Sequence, residues 1–169
     1  GKLPMSFPYC VGQVPVHYNE YATGRPHVEG KDKDRFRSKY LDIPNKPLYP
    51  FGYGLSYTTF EYSDLTISPR IIPPNETATV RLKVTNTGKR AGDEVVQLYT
   101  RDVLSSVTTY EKNLAGFERV HLAPGETKEV TFTIDRKQLE LLDADMKWVV
   151  EPGDFVLMAG ASSEDIRLN

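Results

Sequence analysis

Between Thr77 and Asn86 the chain reads Thr-Ala-Thr-Val-Arg-Leu-Lys-Val-Thr-Asn, with an apolar side chain at every second position through its centre. Side chains of an extended strand point alternately to opposite faces, so Val80, Leu82 and Val84 share one face and Arg81, Lys83 and Thr85 the other. That period commits the segment to a sheet with one dry face. It recurs from Glu129 to Asp135, with Val130, Phe132 and Ile134 turned inward. Glu94 to Arg101 is apolar on both faces near its start, as a central strand requires. Phe60 to Ser68, Leu114 to Leu122, Lys147 to Val150 and Asp154 to Ala159 complete the set. Asn86-Thr87-Gly88, Pro124-Gly125 and Pro152-Gly153 supply turn chemistry, and the last predicts a hairpin joining the two strands beside it. Arg136 to Leu142 has helical spacing but is short, which predicts one helical turn at a corner.

Seven strands, with turn signals at near-regular intervals from residue 60 to the end, predict an all-β fold: a seven-stranded sandwich of fibronectin III or immunoglobulin-like shape. Residues 1 to 58 differ. Pro4, Pro8, Pro15, Pro26, Pro44, Pro47 and Pro50 interrupt any regular element, so the sandwich is preceded by a largely irregular, proline-rich N-terminal arm. The charge run from Lys31 to Arg35 reads as a solvated loop. An arm this short cannot bury enough surface to fold alone. It must lie against the sandwich or against another domain. Gly1-Lys2-Leu3-Pro4-Met5 is neither a start nor a leader and reads as the interior of a longer polypeptide.

The bulk numbers remove several functions. Lys and Arg total 21 against 23 Asp and Glu, a net charge of −2, spread along the chain without the basic stripe that nucleic acid demands. No apolar run approaches the roughly 18 residues that insertion into a membrane needs. One cysteine, Cys10, excludes an internal disulfide and a cysteine-based zinc cluster. His17, His27 and His121 lack metal-ligand spacing, so neither metal nor cofactor is expected.

The stretch from Leu48 to Phe60, Leu-Tyr-Pro-Phe-Gly-Tyr-Gly-Leu-Ser-Tyr-Thr-Thr-Phe, is aromatic, uncharged and punctuated by two glycines. Tyr49, Phe51, Tyr53, Leu55 and Tyr57 would fall on one face of an extended strand. Pro50, Gly52, Gly54 and Ser56 on the other face would let a neighbouring backbone approach. Three uses fit: a stacking platform for a sugar, part of the sandwich core, or an interdomain docking surface. At about 25 cal/mol per Å², four such rings could supply over ~10 kcal/mol of gross stabilisation before entropy is subtracted, enough to hold two domains in one geometry. Docking is the reading that the small residues between the rings favour. Leu3, Met5 and Phe7 should join Tyr49 and Phe51 in an apolar patch.

Several segments resemble glycoside hydrolase family 3. Gly1 to Pro8, Val11 to Asn19, Thr23-Gly24-Arg25-Pro26 and Tyr40-Leu41-Asp42 are similar to the end of that family's second, α/β domain. Pro47 to Phe60 is similar to its linker into a third domain. Val84 to Gly88, Leu114 to Glu118, Leu122 to Glu126 and Glu151-Pro152-Gly153 are similar to landmarks of its fibronectin III-like domain. Tyr9-Cys10 and Thr109-Tyr110 depart from the usual pattern. The resemblance implies three parts: residues 1–28 as the tail of the preceding domain, 29–58 as a linker arm, and 59–169 as the sandwich. It also implies a parent β-glucosidase acting on a β-glucoside with retention, periplasmic or secreted, whose upstream catalytic domains are this chain's partner.

A retaining glycosidase needs two carboxylates about 5 Å apart. The resemblance puts the nucleophile, an aspartate followed by tryptophan, and the second carboxylate on the upstream domains. Here the single tryptophan, Trp148, follows Lys147. No catalytic, substrate-binding or metal residue is therefore assigned. Asp102, ending an apolar strand, and Asp42, beside Tyr40, are the carboxylates that invite inspection, and a capped turn is the simple account of Asp42. The competing function is an independent carbohydrate- or protein-binding module.

Overall fold

The structure is a computed structural model, and it describes every residue except 22, 29, 31–34 and 74. The charge run read at 31–35 thus falls largely outside the described residues. Among the described residues nine strands follow one another: β1 (Phe60–Ser68), β2 (Ala78–Asn86), β3 (Gly92–Asp102), β4 (Asn113–Leu122), β5 (Thr127–Ile134), β6 (Leu141–Leu142), β7 (Trp148–Val149), β8 (Phe155–Gly160) and β9 (Ile166–Leu168). Seven of them build the sandwich. One sheet has the order β1-β2-β5 and the other β4-β3-β8-β9, with every pairing antiparallel.

The alternation read in the sequence is what the sheets bury. Val80, Leu82 and Val84 of β2 and Val130, Phe132 and Ile134 of β5 meet Val96 and Leu98 of β3 and Ala159 of β8 in one core. β2 pairs with β5 from Ala78 opposite Ile134 to Thr85 opposite Thr127 without a register break. The strict period of both strands allows no slip, because a one-residue shift would turn each apolar set outward. α1 (Arg136–Leu139) is one turn at the sandwich corner, and Asp135 and Gln138 close a reciprocal capping box around its start.

The hairpin expected about Pro152-Gly153 does not form. β7 pairs instead with β6 across the tight loop 143–147, in which the Asp143 carboxylate accepts from the backbone N–H of Asp145 and Lys147. Residues 151–154 are held by the β3–β4 loop: Val103 N–H donates to Asp154 O, and the Glu151 carboxylate accepts from Ser106. A local turn signal lost to partners that are distant in sequence. β9 carries no alternating signal in its three residues.

One buried polar residue ties the two sheets and the arm together. The Asn86 Oδ1 accepts from Thr58 Oγ1 at 2.6 Å and from Gly88 N–H, while Nδ2 donates to Arg90 O and Leu122 O. All four side-chain positions are used and the residue is fully buried.

Candidate functional site

The arm lies along the outer face of the four-stranded sheet. In β3, Val96 and Leu98 point into the core, so Gln97 and Tyr99 point out, yet both are buried. Arm residues cover them. The Tyr18 ring stacks on Phe51 with centroids 4.4 Å apart and meets Tyr99 edge-on at 5.9 Å. Burial raises the Tyr99 phenol far above its ordinary range, so it stays protonated and donates to Gln97 Oε1 at 2.5 Å. Gln97 Nε2 in turn donates to Ala161 O and reaches Gly52 O. Glu94 is buried and paired with Lys2 Nζ at 3.0 Å; Lys2 also donates to Ala161 O. The double apolar character of β3 thus has a specific cause: one side faces the core and the other the arm.

The aromatic stretch is not one extended strand. Tyr53 N–H donates to Pro50 O, and Gly52 has φ of +78°, so the chain turns where the notional strand was to run straight. Glycine is the residue that adopts this φ without strain. The turn splits the aromatic set. Phe51 faces Tyr18 and the sandwich, and its carbonyl accepts from Ser163 N–H. Tyr49 and Tyr53 lie against each other at 5.0 Å, with Phe7 edge-on to Tyr49 at 6.4 Å. Leu55 and Tyr57 stand free, 85% and 91% exposed.

Residues 1–7 run beside this stretch. Leu3 N–H donates to Tyr53 O and Gly52 N–H to Leu3 O, while Phe7 N–H donates to Tyr49 O and Leu48 N–H to Phe7 O. Of the expected patch, Leu3 and Phe51 are half-buried, while Met5, Phe7 and Tyr49 remain exposed. The middle of the arm is organised by Gln13, which is fully buried. Its Oε1 accepts from Tyr9 N–H, its Nε2 donates to Pro44 O and Lys46 O, and its carbonyl accepts from the Tyr40 hydroxyl. Among the described residues, fourteen of the twenty-one exposed large apolar side chains lie in the first 58 residues. The arm is therefore two-sided, with one side spent on the sandwich and the other apolar and open.

The candidate catalytic groups are not brought together. Asp102 caps a turn, its Oδ1 accepting from Leu104 N–H. Burial, the larger effect, raises its carboxyl, and the Leu104 hydrogen bond opposes the rise. Asp42 is exposed, and the neighbouring turn is held by Asn45, whose Oδ1 accepts from Tyr40 N–H. His121 pairs with Asp93 at 2.8 Å, and Cys10 is an exposed free thiol. Among the described residues no group of three His, Cys, Asp or Glu side chains is placed to hold a metal ion, and no helix is long and apolar enough to cross a membrane.

Residues 94–163 match the family model of the fibronectin type III-like domain, the class that the two antiparallel sheets define. Over nearly its whole length the chain is also similar to glycosidases. It is 47% identical over 167 residues to a periplasmic β-glucosidase of Salmonella typhimurium, covering 99% of this chain and 22% of that protein. It is 51% identical over 164 residues to a β-xylosidase of Formosa agariphila, covering 97% and 22%. The crystal structure of a β-glucosidase from Listeria innocua in complex with glucose superposes with a TM-score of 0.91 at 43% identity, over 98% of this chain and 23% of that one. The chain matches the part of glycoside hydrolase family 3 β-glucosidases that carries the fibronectin type III-like domain. It spans about a fifth of the length of these relatives.

Proposed function

We propose that the chain is a non-catalytic module at the C-terminal end of a family 3 β-glucosidase. The parent enzyme hydrolyses terminal β-D-glucosyl residues with retention, in the periplasm or outside the cell. The upstream domains hold both catalytic carboxylates. Residues 1–28 complete the preceding domain, 29–58 link it to the rest, and 59–169 form the sandwich that braces the catalytic body. The observation that carries this reading is the two-sided arm. Its inner side is held to β3 through Gly52 and Lys2 and to Ser163 through the Phe51 carbonyl, and its outer side leaves Leu55 and Tyr57 almost wholly exposed. Two exposed apolar side chains beside a rigidly held backbone are what a partner domain would cover. The names of the relatives, β-glucosidases and a β-xylosidase, support the reaction class.

The test replaces Leu55 and Tyr57 together by Ala in the intact enzyme. Loss of thermal stability and of activity supports docking, and unchanged values for both overturn it. Titration of this chain with cello-oligosaccharides separates the independent binding module: no heat is expected, and micromolar binding would favour that alternative.

A further inference from the structure

The arm also touches the sandwich at Tyr21. Tyr21 of the arm and Tyr110 of the β3–β4 loop form an antiparallel bridge, and Glu111 N–H donates to Glu20 O at 2.8 Å. Their rings stack with centroids 4.4 Å apart at an interplanar angle of 26°, and their hydroxyl oxygens are 3.0 Å apart. Nearly parallel rings whose hydroxyls meet are aligned head to head. The hydroxyl ends of the two rings, which carry the ortho carbons, are therefore brought together. Tyr21 is 57% exposed and Tyr110 half-exposed, so solvent and small oxidants reach both phenols.

We propose that Tyr21 and Tyr110 form a site of oxidative cross-linking, a dityrosine that covalently joins arm to sandwich. The co-reactant is a one-electron oxidant, two equivalents per cross-link. Each phenol gives one electron to the oxidant and its hydroxyl proton to water, which leaves two phenoxyl radicals with spin on the ortho carbons. Those carbons form one C–C bond. The hydrogen on each then moves to its own oxygen and restores two aromatic phenols. The net loss is two electrons and two protons, and no group leaves. With one cysteine in the chain an internal disulfide is impossible, and this pair supplies an alternative staple between positions 89 residues apart.

Geometry singles out this pair. Tyr49 and Tyr53 are farther apart, at 5.0 Å and 31°, and sit within one turn. Tyr18 and Tyr99 meet edge-on, and Tyr99 is fully buried.

The test irradiates the protein with a ruthenium tris-bipyridine photosensitiser and persulfate, in the native chain and in Tyr21→Phe, Tyr110→Phe and Tyr49→Phe. Phe keeps each ring in place but cannot form a phenoxyl radical. The expected product is a monomer lighter by two hydrogen atoms, with the blue fluorescence of a biphenol and one cross-linked peptide pair containing residues 21 and 110. Both signals vanish in Tyr21→Phe and Tyr110→Phe and persist in Tyr49→Phe. The cross-linked monomer melts higher by on the order of 5 to 10 °C, because the unfolded chain is constrained. A product mapped to another pair, fluorescence that persists in Tyr21→Phe, or coupling mainly between molecules would overturn the proposal.

Discussion

Gly52 rests directly on the side chain of Gln97: a Cβ at residue 52 would fall within the Gln97 amide group. The same glycine has φ of +78°, and its carbonyl faces Gln97 Nε2. Two independent constraints thus require glycine at the point where the arm turns on β3.

Gly52→Ala should therefore destabilise the chain by about 2 kcal/mol, through strain at positive φ and displacement of Gln97 from Tyr99 and Ala161. Urea denaturation checks this. Gly125→Ala is the comparison, because it shares the positive φ but has open space around its Cβ, and it should cost less.

Asn86 makes four side-chain hydrogen bonds in a site without solvent. Asn86→Ala leaves Arg90 O, Leu122 O, Gly88 N–H and Thr58 Oγ1 without that partner. The expected cost is about 3 kcal/mol, a fall in Tm on the order of 10 °C by calorimetry.

Phe51 and Tyr57 belong to one sequence motif but to opposite sides of the arm. In this chain Phe51→Ala should cost about 3 kcal/mol, since it removes the ring stacked on Tyr18, which in turn covers Tyr99, whereas Tyr57→Ala should stay within about 0.5 kcal/mol. In the intact enzyme Tyr57→Ala should become destabilising as well. Thermal melts of both variants in both contexts measure the difference.

Hydrogen bonding by Arg167 holds Asp165 below the usual carboxylate range, and hydrogen bonds from Arg119 and His121 do the same for Asp93. A carboxyl with a depressed folded pKa contributes stability that is present above its unfolded value, about 3.9, and is lost as pH falls through the lower folded value. Tm should therefore drop on the acid side of about pH 4, and less steeply in Asp165→Asn. Asp102 works in the opposite sense. Burial raises its pKa, so its ionised form costs stability near neutral pH, and protonation relieves that cost as pH falls through the raised value. Asp102→Asn keeps an acceptor for Leu104 N–H and should melt no lower than the native chain near pH 7.

Much of the sandwich was legible because its signal is local. Val80, Leu82, Val84, Val130, Phe132 and Ile134 announce their shared face within ten residues of chain, and a two-residue period has one physical solution when one side is dry. The sequence by itself therefore determined the fold class, the inward residues and the single helical turn after Asp135. What it could not determine are features made between distant segments. Gln13, Asn86, Glu94 and Gln97 are polar, which ordinarily marks the surface, and each is buried because a partner distant in sequence satisfies it. At Pro152-Gly153 the hairpin yielded for the same reason to the distant β3–β4 loop, while the nearby β6 took β7 as its partner. The tertiary structure alone decided that Phe51 faces the sandwich while Leu55 and Tyr57 face outward, because a turn at one glycine reassigns the faces that a straight strand would have shared.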